Sequence, residues 1–154
     1  MTQNLNQFSQ SAERGQISLL GAEGFVISAI VDSTETGTIN AGDAVEIITT
    51  SRGIPKVKKL ADAGNAVFGF AIYNPVKNAN VAGDRIEVMI TGGVMYMIAS
   101  EAINAGVEVE YNITTGKIAP YVVESGVTPN TIVGKTIDYA SGNNILTRVY
   151  IKSI

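Results

Sequence analysis

Three glutamates follow three near-identical phrases. Glu46 lies in AGDAVEI (41–47), Glu87 in AGDRIEV (82–88) and Glu110 in AGVEVEY (105–111). Two carboxylates at a suitable separation could hydrolyse a glycoside, one as acid and the other as base or nucleophile. Each glutamate, however, sits in an apolar–polar alternation. Val45 and Ile47, Ile86, Val88 and Ile90, and Val107, Val109 and Tyr111 point one way, and the glutamates the other, toward solvent. Asp43 and Asp84, which follow Ala-Gly, read as turn residues bonding their own backbone. An active site is normally built once, whereas a turn leading into a strand can be reused. No catalytic residue is assigned, and the chain is not read as an enzyme.

The residue inventory narrows chemistry further. Histidine and cysteine are both absent, which removes the commonest general base, triads, thiolate nucleophiles, disulfides and the usual zinc ligands. No Asp-x-Asp-x-Asp-Gly loop is present to hold calcium. Gly21-Ala22-Glu23-Gly24 and Thr91-Gly92-Gly93 lack the glycine spacing of a phosphate-binding turn. The expectation is no metal and no cofactor. A net charge of −3 and a pI near 4.9 supply no basic excess for phosphates, so nucleic acid is not an expected partner. The longest apolar run, VMYMIA at 94–99, is far too short to cross a bilayer as a helix. MTQNLNQFSQ has neither a basic n-region nor an apolar h-region, so no secretory signal is expected.

One basic cluster stands out. Arg52, Lys56, Lys58 and Lys59 surround a predicted hairpin, with Lys56 and Lys58 on one strand face. They read as a solvated face or as a contact patch for an acidic partner surface.

From Phe25 onward the chain uses strand vocabulary. Short runs rich in Val, Ile, Tyr and Thr alternate with Gly, Asn, Asp and Pro. They predict strands near 25–31, 43–49, 54–60, 66–73, 85–90, 93–99, 107–113, 117–122, 131–138 and 145–152. Hairpin turns fit at 51–53 and 114–116, and a short helical turn at 99–104. Many short strands predict an all-β fold, a β-sandwich of jelly-roll kind or a small β-barrel. Residues 1–24 are different: polar, with scattered apolar Leu5, Phe8, Ile17, Leu19 and Leu20. They read as a frayed terminus or as an arm that orders on a partner. The division is thus an arm over 1–24 and a β-domain over 25–154.

The repeated phrases belong to an internal duplication with units near 38–90 and 102–154. TINAG (38–42) aligns with AINAG (102–106), AGDAVEI with AGVEVEY, and the turn at Gly53 with that at Gly116. IPKV aligns with IAPY, setting Pro55 against Pro120. AVFGFAIY aligns with TIVGKTID, setting Gly69 against Gly134, and RIEVMI with RVYIKS. The Ala82 phrase lies inside the first copy, where the second has YASGNNI instead.

This rhythm, from "AGDAVEI" through "AVFGFAI", "RIEVMI" and "GG" to "AGVEVEY" and "TIVGKTI", resembles the capsid decoration, or head cement, proteins of tailed bacteriophages. The resemblance spans Phe25 to the end. It implies a virion structural protein on the capsid exterior, made in the host cytoplasm. Such a protein binds the expanded shell and bridges neighbouring major capsid proteins, and self-associates as a dimer or trimer at a symmetry axis. It implies that the arm contacts the capsid through Leu5, Phe8, Ile17, Leu19 and Leu20, and it offers no catalytic residue. Two other readings stand beside it. A carbohydrate-binding or adhesin-like β-domain would need exposed aromatic platforms, and tryptophan is absent. A biotinyl or lipoyl carrier domain shares AGD-x-V, but Lys56-Val57-Lys58-Lys59 does not match its modified-lysine hairpin.

Overall fold

The computed structural model describes residues 12–18, 23–123 and 131–152. The protein is all-β, and no helix occurs among the described residues. Eleven strands follow one another: β1 (Glu23–Val31), β2 (Ile39–Asn40), β3 (Ala44–Ser51), β4 (Ile54–Lys59), β5 (Gly69–Ala71), β6 (Ala79–Asn80), β7 (Arg85–Ile98), β8 (Glu108–Asn112), β9 (Lys117–Pro120), β10 (Thr131–Thr136) and β11 (Leu146–Ile151). Most strands obey the period of two. In β11, for example, Thr147, Val149 and Ile151 are buried while Arg148 and Tyr150 are not.

The strands close into two rings. In the first, β4 pairs parallel with β1 and antiparallel with β3, β3 continues to β5, β5 to β7, and β7 returns to β1. In the second, β7 pairs with β11, β11 with β10, β10 with β8 and β8 with β9, and a parallel bridge from Ala99 to Ile118 returns to the end of β7. Closure leaves few of the exposed edges that an open sheet would present. The fold is therefore barrel-like twice over, with the 14-residue β7 shared. A break between 90 and 93 was expected. The ladder runs through it instead, because Phe25 and Glu23 pair with Thr91 and Gly93.

Equivalent pairings recur in the two halves of the chain. The hairpin β3–β4 matches β8–β9, β5 matches β10, and the first half of β7 matches β11. The short β2–β6 pair, Ile39 with Asn80, matches the isolated bridge Ile103 with Ala140. The unit is larger than the sequence alignment suggests, because β1 also has a counterpart in the second half of β7. Val31 pairs with Val57 as Ala99 bridges Ile118, and Asp32 N–H donates to Val57 O as Ser100 N–H donates to Ile118 O. Residues 99–104, expected to be a helical turn, instead form a bend at 100–101 between the bridges of Ala99 and Ile103. Two alignments also move. Lys59, not Pro55, matches Pro120, since they face Val45 and Val109 respectively; the first hairpin is longer. Glu87, not Arg85, matches Arg148, since each carbonyl accepts the N–H of the equivalent residues Ile72 and Ile137.

The repeated Ala-Gly phrases are one corner used four times. Gly42, Gly83 and Gly106 have φ of 82°, 90° and 78°. Their N–H groups donate to Ala71, Val31 and Thr136 O, and the N–H groups of those residues return to Asp43, Asp84 and Val107 O. The fourth corner is Asn144, with φ 65°. Its N–H donates to Ala99 O, and Ala99 N–H returns to Ile145 O. Asparagine tolerates the left-handed region best among residues with a side chain, so YASGNNI is the missing mate of AGDRIEV.

Each ring encloses apolar side chains. The first holds Ala29, Val31, Ile39, Val45, Val57, Ala71, Ile86 and Val88. The second core includes Met95, Met97, Val109, Ile118, Val149 and Ile151, and extends to Ala44, Phe70 and Met89 of the first unit. Phe70 meets Tyr111 edge-on, with centroids 5.6 Å apart. Two glycines are required by close approach: a Cβ on Gly69 would lie 2.4 Å from Met89 O, and one on Gly134 1.8 Å from Tyr150 O. These occupy matching positions, which explains why the glycines of VFG (67–69) and IVG (132–134) recur. Ile47, expected to face inward like Val45, is 45% exposed. A register shift follows it in the β3–β4 ladder, whereas its counterpart Tyr111 is covered by Phe70.

Candidate functional site

The most concentrated polar chemistry lies where the two units meet the segment 12–18. Gly15 N–H donates to Tyr96 O, Tyr96 N–H to Gln16 O, Ser18 N–H to Val94 O and Tyr73 N–H to Gly15 O. Ile17 bridges Met95. This extra strand carries Arg14 into the junction. Its Nη2 donates to Asp43 Oδ1 at 2.9 Å, to Gly116 O at 3.0 Å and to Tyr111 OH at 3.4 Å. Asp43 also accepts from Asn40 N–H at 2.8 Å and pairs with Lys59 Nζ at 3.2 Å. Its side chain is 3% exposed. Burial raises the Tyr111 hydroxyl above its ordinary pKa, and the Asp43 charge adds to this. The phenol therefore stays protonated, accepting from Ala44 N–H at 3.3 Å.

Chemically this is a clamp rather than a catalytic centre. The arginine joins the corner of the first unit to the β8–β9 turn of the second, and Asp43 holds two cations against it. Sequence reasoning placed Asp43 in its turn but missed its partners, and it missed Arg14 altogether. The available signal was the arginine beside Gly15, in a segment otherwise short of charge.

The glutamates stay apart. Glu46 accepts from Asn65 Nδ2 at 2.6 Å, and Glu87 is exposed and accepts from Ser28 Oγ. Glu110 is half-buried on β8. Among the described residues, no group of three or more Asp or Glu side chains could hold a metal. An open cleft of about 310 Å³ lies between Tyr73, Pro75, Lys77, Arg85 and Glu87, but Lys77 is paired to Asp84 and Glu87 to Ser28.

The basic cluster is divided. Arg52 sits exposed at the tip of the β3–β4 hairpin, with φ 52° before Gly53 at 79°, the left-handed pair that a two-residue hairpin requires. Lys56 and Lys58 alternate with buried Val57. Both help hold the Asp32 carboxyl below its usual range, after the larger effect of hydrogen bonds from Thr34. Lys59 turns away to Asp43.

Of the apolar residues singled out upstream, Ile17 is half-buried against the second core. Leu5, Phe8, Leu19 and Leu20 lie outside the described residues. Within the described surface, Phe25 (62% exposed), Val122 (60%), Val123 (79%) and Tyr139 (61%) present large apolar groups to solvent. No protein-family model matches the chain, and no curated protein does.

Proposed function

We propose that this protein is a capsid decoration protein, which binds the outer surface of an icosahedral phage head and cements neighbouring major capsid proteins. The observation that carries the reading is a set of large exposed apolar groups, among them Phe25, Val122, Val123 and Tyr139, on a chain of which only 16% is charged. Such groups supply contact area for association where they gather into one patch. The resemblance in pattern from Phe25 onward supplies the partner, and a repeating shell multiplies weak contacts into firm attachment. In this reading the N-terminal segment, expected as an arm over 1–24, contacts neighbouring molecules on the shell through Leu5 and Phe8, while its residues 15–18 are bound to β7 of the same chain. Arg52, Lys56 and Lys58 are the basic contacts.

Co-sedimentation of the purified protein with expanded heads, and with procapsids beside them, tests this. Saturable binding to expanded heads at a fixed ratio to the major capsid protein is expected. No binding to either shell would overturn the reading.

A further inference from the structure

The two units differ at one matching place. In the second, the outer edge of β7 is covered by the strand Gly15–Ser18, which bonds to Val94 and Tyr96 and sets Ile17 opposite Met95. Val94 and Met95 are consequently 4% and 0% exposed. Because Val31 matches Ala99, the equivalent edge in the first unit is that of β1 at Val26, Ile27 and Ser28. There β4 pairs only with Ile30 and Val31, and no described residue pairs with that edge further upstream. Val26 and Ile27 are half-buried rather than buried, and the neighbouring Phe25 is exposed. An antiparallel strand directs alternate N–H and C=O groups to its outer side, so this edge is a slot for one more strand.

The chain contains a second segment of the kind that fills the first slot. Gln16-Ile17-Ser18 has the order Gln, apolar, Ser, and the sequence has this order at one other place, Gln7-Phe8-Ser9. We propose that Gln7–Ser9 of a second copy of the chain adds to the outer edge of β1, with Phe8 opposite Ile27 as Ile17 is opposite Met95.

Reach favours a second copy over the same one, whose tether would have to be drawn out fully straight. In the equivalent pose Ser9 lies level with Val26, which pairs with Met89, whereas Gly15 is fixed at Tyr96. Seven residues of strand extend about 23 Å, with one strand spacing of about 4.8 Å to the side. The six residues from Ser9 to Gly15 span at most about 22 Å when fully extended. A neighbouring molecule carries no such tether. The exchange deepens the self-association in the decoration reading and rests on it for its biological setting, but it is tested without a capsid.

The chain has no cysteine, so an engineered pair is unambiguous. In the double variant Phe8→Cys/Ile27→Cys, mild oxidation should give a covalent dimer at least about tenfold faster than in Phe8→Cys/Val76→Cys, because pairing raises the local thiol concentration. Equal rates, or a disulfide within one chain, would overturn the proposal. Amide exchange on the unaltered chain gives a second reading should the variants fold poorly. Protection of residues 24–28 should rise with protein concentration, and Phe8→Asp should abolish that rise. Protection independent of concentration would overturn it too. Capsid co-sedimentation fails or succeeds separately.

Discussion

Replacing Asp43 by alanine isolates the clamp, because a matching corner provides a control. Asp43 and Asp84 occupy equivalent turns, and each accepts the N–H of the residue three before it, Asn40 or Val81, at 2.8 Å. They differ in burial, with side chains 3% and 27% exposed. Asp43 has Arg14 and Lys59 as partners, while Asp84 has Lys77 alone. Loss of the Arg14 contact and of the Asn40 bond, both charge-assisted and largely dry, should cost about 1.5 kcal/mol each. Lys59 is 41% exposed, so its share is small after solvent screening. Asp43→Ala should therefore lose about 3 kcal/mol, at the lower end for a broken buried pair, since Arg14 keeps Gly116 O. In a chain of this length that lowers the melting temperature by about 6–12 °C. Urea denaturation of wild type, Asp43→Ala and Asp84→Ala side by side measures it, and Asp84→Ala should lose only about 1 kcal/mol, since water can replace its turn bond. Equal losses for the two variants would refute the clamp, because the shared turn would then explain the whole effect.

Further outcomes follow from the same geometry. Gly134→Ala should fail to fold or lose at least about 3 kcal/mol, because its Cβ meets backbone that cannot move aside; Gly53→Ala, with no atom within 4 Å of the new Cβ, should lose far less, as read by circular dichroism melts. Asn144→Gly should leave stability within about 0.5 kcal/mol of wild type, whereas Asn144→Val should cost about 1–2 kcal/mol for forcing a branched side chain to positive φ. Asp138 is held below the usual carboxylate range chiefly by hydrogen bonds from Arg148, at 2.7 Å to each oxygen; Thr34 does the same for Asp32, and Lys77 for Asp84. A depressed folded pKa means that the unfolded chain binds more protons, so this stability is present above about pH 4 and is lost as pH falls through the folded values. The urea midpoint should hold near neutrality and drop in acid, and Asp138→Asn should make that drop shallower.

Alternation and punctuation along the chain determine which residues form strands, because period-two burial is a local property of the pleated backbone. Val45, Val88, Val109 and Val149 declare themselves this way, and so do the glycine corners, since positive φ restricts the residue at one position. The duplication was legible for the same reason: Gly69 and Gly134 recur because each faces a carbonyl that leaves no room for a Cβ. A barrel was among the expected folds, but which strands close each ring was not legible. It depends on β1 meeting both β4 and β7, contacts between distant residues that no local pattern encodes. The true extent of the unit was hidden as well, because β1 and the second half of β7 share pairing but few residues, and Asn144 stands where a glycine was sought. Asp43 shows the division most clearly. Its sequence neighbours make it a turn residue, and only the packing of Arg14 and Lys59 against it, brought in from 29 residues upstream and from the far strand of the hairpin, makes it the anchor between two units. Local rules fix a residue's backbone, whereas its partners are chosen by the fold.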